Sequence, residues 1–152
     1  VSVLLMAVLF TAGCTSQKSE VSKPKYVSFL MSKFTAITSS METVKKNISN
    51  FSEASLSDTH WVDSMNTEIS KAKAVCDEII NYTGAPADFT NLHTKLVEMA
   101  NQVKPALESY EQGIKNKDFA MLSAANEQLN KAMGSVDQYL SQLKSEIEGL
   151  SQ

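Results

Sequence analysis

The sequence contains no arginine, and all 14 of its basic residues are lysines. Arginine carries the planar, forked group that is best suited to binding phosphates. The chain also lacks excess positive charge, because its formal net charge is −3 at pH 7. Both absences argue against a nucleic-acid-binding protein. A genome that prefers lysine codons would also explain the missing arginine, so that absence is supporting evidence only.

Glycine and proline are also scarce, with 5 and 3 residues in a chain of 152. Folds built from strands and tight turns depend on these residues at their turns, so the composition favours helices. Hydrophobic residues make up 43% of the chain and charged residues 20%, which is usual for a globular protein. The length suits a single domain with its own hydrophobic core.

The sequence has no long hydrophobic run. The apolar segment at residues 1–10 is only about half as long as the 20 residues of a membrane-spanning helix. A secretory signal core, by contrast, needs only about 7–15 residues. We therefore interpret this segment as a signal core. Because no initiator methionine and no basic segment precede it, we expect the given sequence to be truncated at its start.

The apolar segment ends in residues 11–14, Thr-Ala-Gly-Cys. This ending resembles the lipobox of bacterial lipoproteins, in which leucine and a small residue precede Gly or Ala and then Cys. The resemblance implies that the Cys14 thiol accepts a diacylglyceryl group and that cleavage falls between Gly13 and Cys14. Phe10 and Thr11 depart from the leucine preferred upstream. The alternative is an ordinary secretory signal with a chance cysteine.

The next segment, residues 15–25, is polar and rich in serine, so it cannot bury enough surface to fold. We interpret it as a tether. Its lysines would favour contact with anionic headgroups, although a solvated spacer is the simpler alternative. The predicted organisation is a signal peptide over residues 1–13, a lipidated cysteine and tether over 14–25, and a helical domain over 26–152.

Three segments carry apolar stripes at spacings of three and four residues, which predict helices with one buried face. The stripes are Leu30, Phe34, Ile37, Met41, Val44, Ile48 and Phe51; Trp61, Met65, Ile69, Ala72, Val75, Ile79 and Tyr82; and Phe89, Leu92, Leu96, Met99, Val103, Leu107, Tyr110 and Ile114. Pro24 lies just before the first helix. Ser57 or Asp58 can cap the second helix. Pro105 should kink the third helix near Gln102.

The fourth segment has a heptad pattern, and Asp118 is a plausible cap for its helix. One row is Leu122, Leu129, Val136, Leu143 and Leu150, and the second is Phe119, Asn126, Met133, Leu140 and Ile147. Asn126 is the polar member, which could fix the register. Because the connections are short, the sequence predicts an all-α, antiparallel up-down four-helix bundle. A three-helix bundle with a broken third helix is the main alternative.

The sequence gives little sign of a metal, cofactor or catalytic site. It lacks the Cys-x-x-Cys-His motif of attached haem and the Glu-x-x-His motif of di-iron bundles. His60, His93 and Cys76 are too few and too scattered to predict a zinc site. We expect an exposed His60, a boundary His93 with one hydrogen bond and a buried Cys76. Methionines on the stripes are expected to fill the core, so no cofactor and no enzyme activity are predicted.

Two further patterns bear on function. Trp61, Tyr82 and Tyr110 lie near predicted helix ends, where they would line a partner patch or, as we favour, cap the core. The second half of the chain contains a further pattern, formed by Pro86 to Phe89, Leu92, His93, Leu96, Tyr110, Gly113, Ile114 and Asp118. This pattern resembles small helical lipoproteins of Gram-positive bacteria, mostly of unknown function. That resemblance implies a cell-surface helical domain and supplies no catalytic residues.

These features together predict an extracytoplasmic lipoprotein, anchored to the cell membrane through Cys14, whose helical domain is a binding or interaction module. Its partner would be an envelope protein or a small ligand. The alternatives are a structural or stress-related envelope protein and, with less support, a carrier of metal or haem. In a Gram-negative host, Thr15 after the cysteine would indicate sorting to the outer membrane.

Overall fold

A computed structural model describes residues 22–49 and 51–150, and four α-helices make up most of this part. The helices are α1 (Lys23–Ser49), α2 (Thr59–Ile80), α3 (Thr90–Asn116) and α4 (Phe119–Leu150), and short 3-10 helices occupy Glu53–Ser57 and Ala87–Phe89. The described residues form no strand, which confirms the predicted all-α class. None of the helices among them is long and apolar enough to cross a membrane.

Side-chain contacts show how the helices are arranged. Lys104 of α3 donates a hydrogen bond to Asp77 of α2 at 2.5 Å. The Tyr139 hydroxyl of α4 donates to the Leu92 carbonyl of α3 at 3.2 Å, and its ring stacks on Phe34 of α1 with centroids 5.4 Å apart. Lys33 of α1 forms an ion pair with Glu78 of α2. Each helix therefore packs against its neighbours in sequence, and α4 also contacts α1 through Tyr139.

The bundle has two ends, which we call the entry end and the far end. At the entry end, α1 and α3 begin and α2 ends, so this is where the chain enters the bundle at Lys23. At the far end lie the connection from α1 to α2 and the tight turn between α3 and α4. Neighbouring helices run antiparallel, as predicted, and the unbroken course of α3 through Pro105 excludes the three-helix alternative.

The core confirms most of the three predicted stripes. Every member of the α3 stripe is buried, as are the α1 stripe from Leu30 to Val44 and the centre of the α2 stripe. Four stripe members at or beyond the helix ends are only half-buried, and so is Val75 within α2; the four are Ile48, Phe51, Trp61 and Tyr82. Cys76 is buried, as predicted. Tyr26, which was not predicted to be in the core, is fully buried at the entry end.

Helix α1 begins earlier than the sequence suggested. It starts at Lys23, three residues before the predicted start of the domain at residue 26, and Pro24 lies in its first turn rather than ahead of it. The first four N–H groups of a helix have no partner within the helix, so a proline costs little there. The Tyr26 N–H donates to the Ser22 carbonyl at 3.0 Å and closes this turn.

The second predicted heptad row of α4 is wrong. Phe119 is exposed, Asn126 and Met133 are only partly buried, and the buried row is instead Ala125, Ala132 and Tyr139. The two rows lie three residues before and three residues after the confirmed positions Leu122, Leu129 and Val136. Asn126 pairs with Asn130 on the helix surface and so cannot fix the register from within the core. The side chains of Leu140, Leu143, Ile147 and Leu150 lie outside the described part.

Both predicted helix caps are confirmed. One carboxylate oxygen of Asp58 accepts hydrogen bonds from the backbone N–H groups of His60 and Trp61, at 2.9 and 3.3 Å. Asp118 accepts one from the N–H of Met121 at 3.0 Å. These side chains satisfy N–H groups that have no partner inside the helix, and they fix where α2 and α4 begin.

The turn between α3 and α4 places a lysine in a conformation that favours glycine. The Lys117 N–H donates to the Ile114 carbonyl and the Asp118 N–H to the Gly113 carbonyl, at 3.1 and 2.9 Å. This is a Schellman motif, and it holds Lys117 at a φ of 52°. A side chain is strained in this left-handed region because Cβ crowds the following carbonyl.

Replacing Lys117 with glycine should therefore stabilise the protein. We expect the free energy of unfolding to rise by about 0.5–1 kcal/mol in urea denaturation. The backbone strain relieved in the folded state exceeds the extra conformational entropy that glycine loses on folding. Lys115→Gly, inside the last turn of α3, is the matched control and should lower it by about 1 kcal/mol. Equal losses in both variants would show that Lys117 is not strained.

Candidate functional site

Aromatic side chains from three segments meet at the entry end. Phe29 and Tyr82 stack with ring centroids 4.1 Å apart, and Tyr26 packs against Tyr82 and Phe89 at 5.6 and 5.3 Å. His93 lies 5.8 Å from the Tyr26 ring. We call these five residues the entry cluster. It confirms that Tyr82 helps to close the core, and it joins the start of α1 to the connection between α2 and α3.

Two polar atoms in the entry cluster are buried without a partner among the described residues. The Nε2 atom of His93 lies 3.1 Å from the Tyr82 carbonyl, which makes it the donor because a carbonyl oxygen only accepts. The Nδ1 atom of His93 and the hydroxyl of Tyr26 have no hydrogen-bond partner. The single bond expected for His93 is thus confirmed. Burial, with a smaller contribution from Tyr82, raises the pKa of Tyr26 far above its ordinary value.

Tyr26→Phe should stabilise the protein. Removing a buried hydroxyl that lacks a partner should raise the free energy of unfolding by about 1 kcal/mol at neutral pH. A phenol is neutral below its pKa, and only the unfolded chain ionises near the ordinary value of 10.0. Ionisation of Tyr26 therefore has no effect on the free energy of unfolding below pH 10, and it lowers that free energy as the pH rises further.

The decline in stability above pH 10 should accordingly be shallower in Tyr26→Phe than in the parent protein, by about 1.4 kcal/mol per pH unit. Tyr110 stays in place as a second tyrosine whose pKa is raised by burial, so some alkaline destabilisation should remain. Urea denaturation at pH 7 and pH 11 measures both effects. A loss of stability at pH 7 would mean that the Tyr26 hydroxyl makes a hydrogen bond.

A second aromatic group lies at the far end. The rings of Trp61, Phe51 and Phe119 are stacked in that order, with centroids 5.1 and 5.0 Å apart and planes within 25° of parallel. Trp61 is fixed by a hydrogen bond from its Nε1 to the Asn47 carbonyl at 3.2 Å. We call these three rings the far-end stack. Its outermost ring, Phe119, is 44% exposed.

The far-end stack joins three parts of the chain that no sequence motif connects. Trp61 was predicted to lie near a helix end, but Phe119 was assigned to the core and Phe51 to the first stripe. Met121, two residues after Phe119, is also exposed. Tyr110, the third aromatic side chain predicted near a helix end, is buried, and burial raises its pKa. Exposed aromatic side chains often contribute to protein interfaces, so the stack is a candidate contact surface.

The described part of the surface also carries two grooves. The groove between α3 and α4 has a volume of about 220 Å³ and is lined by Lys95, Glu98, Met99, Gln102, Gln138, Tyr139 and Gln142. The other, of about 640 Å³, is lined by Lys73, Pro105, Glu108, Ser109, Glu111, Gln112 and Met121. Both are open to solvent and carry charged side chains in their lining, whereas small-molecule pockets are mostly enclosed and apolar.

The structure does not bring the possible ligand residues together. His60 is exposed at the far end, as predicted, His93 lies at the entry end, and Cys76 lies in the core between them. Within residues 22–49 and 51–150, no three His, Cys, Asp or Glu side chains form a group that could hold a metal ion. Burial, aided by Asp77 and opposed by Lys104, raises the pKa of the Cys76 thiol to about 12. This thiol therefore stays protonated and unreactive at neutral pH.

The predicted lipid attachment site, Cys14, and the cleavage site between Gly13 and Cys14 lie outside the described residues. The family model of DUF6376, a family of unknown function, matches residues 31–145. This range covers most of the bundle, and the chain therefore belongs to that family. No curated protein and no solved structure matches the chain.

Proposed function

We propose that this member of the DUF6376 family is an extracytoplasmic lipoprotein, held on the cell membrane by a lipid on Cys14, whose bundle is a non-enzymatic binding or interaction module. The observation that carries the proposal is the position of residues 11–14, Thr-Ala-Gly-Cys, directly after an apolar run of signal-peptide length. The bundle supports it, because its chain enters at one end, nine residues after Cys14.

The far-end stack supports the interaction role. A lipid on Cys14 would hold the entry end near the membrane, and the far end lies about 40 Å along the bundle from it, the length of a 27-residue helix. The exposed ring of Phe119 and the exposed side chain of Met121 would then lie at the end of the bundle opposite the anchor. Exposed apolar side chains at such a position suit contact with another envelope protein better than binding of a small molecule.

The anchor is tested by replacing each cysteine separately. Cys14→Ser should abolish incorporation of a labelled fatty acid and release the protein from the membrane fraction. Cys76→Ala is the matched control, because it removes the other cysteine and should leave labelling and retention unchanged. Mass spectrometry of the mature N-terminus should show a lipid on Cys14. A Cys14→Ser variant that stays labelled and membrane-bound would overturn the proposal.

The interaction role is tested by mild crosslinking in intact cells that carry the anchored protein. A defined crosslinked partner should be lost in Phe119→Ser. Ala74→Ser, which changes an exposed apolar residue of α2 outside the far-end stack, should retain it. If a version with scrambled surface residues rescues a deletion strain, the alternative of a structural or stress-related envelope protein is favoured instead.

A further inference from the structure

We propose that the outer face of the first half of α1 rests on a membrane surface that carries anionic phospholipid headgroups. The inference depends on the lipid on Cys14 proposed above. It also specifies the orientation of the bundle, in which one face of α1 near the entry end lies against the membrane. We call this face the α1 seat, and it consists of the exposed residues Lys25, Ser28, Met31, Ser32 and Thr35.

The first argument is the length of the chain between the anchor and the bundle. Only eight residues separate Cys14 from Lys23. Fully extended, this segment reaches about 30 Å, and a random chain of that length has an end-to-end distance of about 16 Å. The entry end is therefore confined to a thin layer above the membrane. The effective concentration of the bundle at the lipid surface is therefore high. At this concentration even weak contacts between the bundle and the lipid surface form.

The second argument is the charge of α1. From Lys23 to Met41 the helix contains three lysines and no acidic residue, the first acid being Glu42. Lys23 and Lys33 form ion pairs with Asp88 and Glu78. Lys25 is exposed and forms no ion pair among the described residues. An anionic lipid headgroup is a suitable partner for this charge.

The third argument is the shape and composition of the face. Lys25, Ser28, Ser32 and Thr35 recur at spacings of three and four residues and so lie along one side of the helix. Their neighbour Met31 is 52% exposed, the highest value for a large apolar residue among those described. Short hydroxyl side chains allow the helix to approach the headgroups closely. Met31 can then reach the boundary of the apolar layer, as apolar side chains of interfacial helices do.

The experiment measures which part of the bundle lies near the lipid. The protein is purified with its lipid and reconstituted into vesicles of phosphatidylcholine, with or without phosphatidylglycerol, that contain lipids with nitroxide-labelled headgroups. The native tryptophan is removed by Trp61→Phe. Single tryptophans are then introduced by Met31→Trp in the α1 seat and by Phe119→Trp at the far end. Both probes replace exposed apolar residues, so the core is preserved.

We expect strong quenching of tryptophan fluorescence at position 31 and weak quenching at position 119. The quenching at position 31 should require phosphatidylglycerol and should be strongest at low salt. Lys25→Glu should lower the ratio of protein whose α1 seat contacts the membrane to protein whose α1 seat does not by about fivefold or more, because it reverses a charge near the surface. Lys45→Glu makes the same change in the far half of α1 and should have little effect. An acidic residue in the first turn favours a helix, so unfolding would not explain a loss in Lys25→Glu.

Equal quenching at both positions would contradict the proposed contact of the α1 seat with the membrane. Quenching at position 31 that does not depend on phosphatidylglycerol would contradict it as well. If the lipid is present on Cys14 but quenching is equal, the anchor stands and only the orientation is wrong. If purified protein carries no lipid on Cys14, the proposed function itself fails.

Discussion

Tyr139→Ala should lower the free energy of unfolding by about 3–5 kcal/mol in urea denaturation. The Tyr139 side chain is only 4% exposed, and its ring lies parallel to that of Phe34, with 5° between the planes. Its hydroxyl also donates a hydrogen bond to the Leu92 carbonyl. One side chain therefore joins α4 to both α1 and α3. Truncating it opens a cavity where three helices meet.

Phe119→Ala is the matched control, because the predicted heptad row placed Phe119 in the core and left Tyr139 out of it. Phe119 is 44% exposed, so its truncation should cost about 1 kcal/mol or less. The pair of variants thus tests the register of α4 directly. A larger loss for Phe119→Ala than for Tyr139→Ala would support the predicted row and contradict the observed one.

The contrast between α3 and α4 shows what hydrophobic periodicity can predict. The α3 stripe from Phe89 to Ile114 consists of large apolar residues, and all of them are buried. In α4, two of the buried positions are Ala125 and Ala132, whose small side chains give a weak signal next to Phe119. The period predicted one row but not the side of it on which the second row lies, and packing against α1 and α3 decides that side.

The candidate sites also differ in how far the sequence alone predicts them. The pattern at residues 11–14 is local, so the sequence alone predicts an anchor at Cys14. The entry cluster and the far-end stack each combine residues from separate helices or connections. Helix periodicity does not specify which neighbours they meet. Asp58 and Asp118 were predictable as caps because a cap acts on backbone groups two or three residues away.

The close approach of α3 and α4 depends on a glycine that periodicity does not reveal. An added Cβ at Gly113 would lie 2.7 Å from Cγ of Leu122, 2.8 Å from its Cδ2 and 3.3 Å from its backbone nitrogen. Leu122 is buried in the confirmed row of α4 and has little room to move. An added Cβ at Gly134, in contrast, meets nothing within 4 Å. The two glycines therefore make a matched pair inside helices.

Gly113→Ala should lower the free energy of unfolding by about 1–2 kcal/mol, since the cost of overpacking exceeds the better helix propensity of alanine. Gly134→Ala should raise it by about 0.5–1 kcal/mol, because only the propensity term remains. Urea denaturation of both variants gives the comparison. Adding Leu122→Ala to Gly113→Ala should cost less than Leu122→Ala alone, because the new methyl group fills part of the cavity. Stabilisation by both alanines would show that α3 and α4 are further apart at this point than the contact with Leu122 requires.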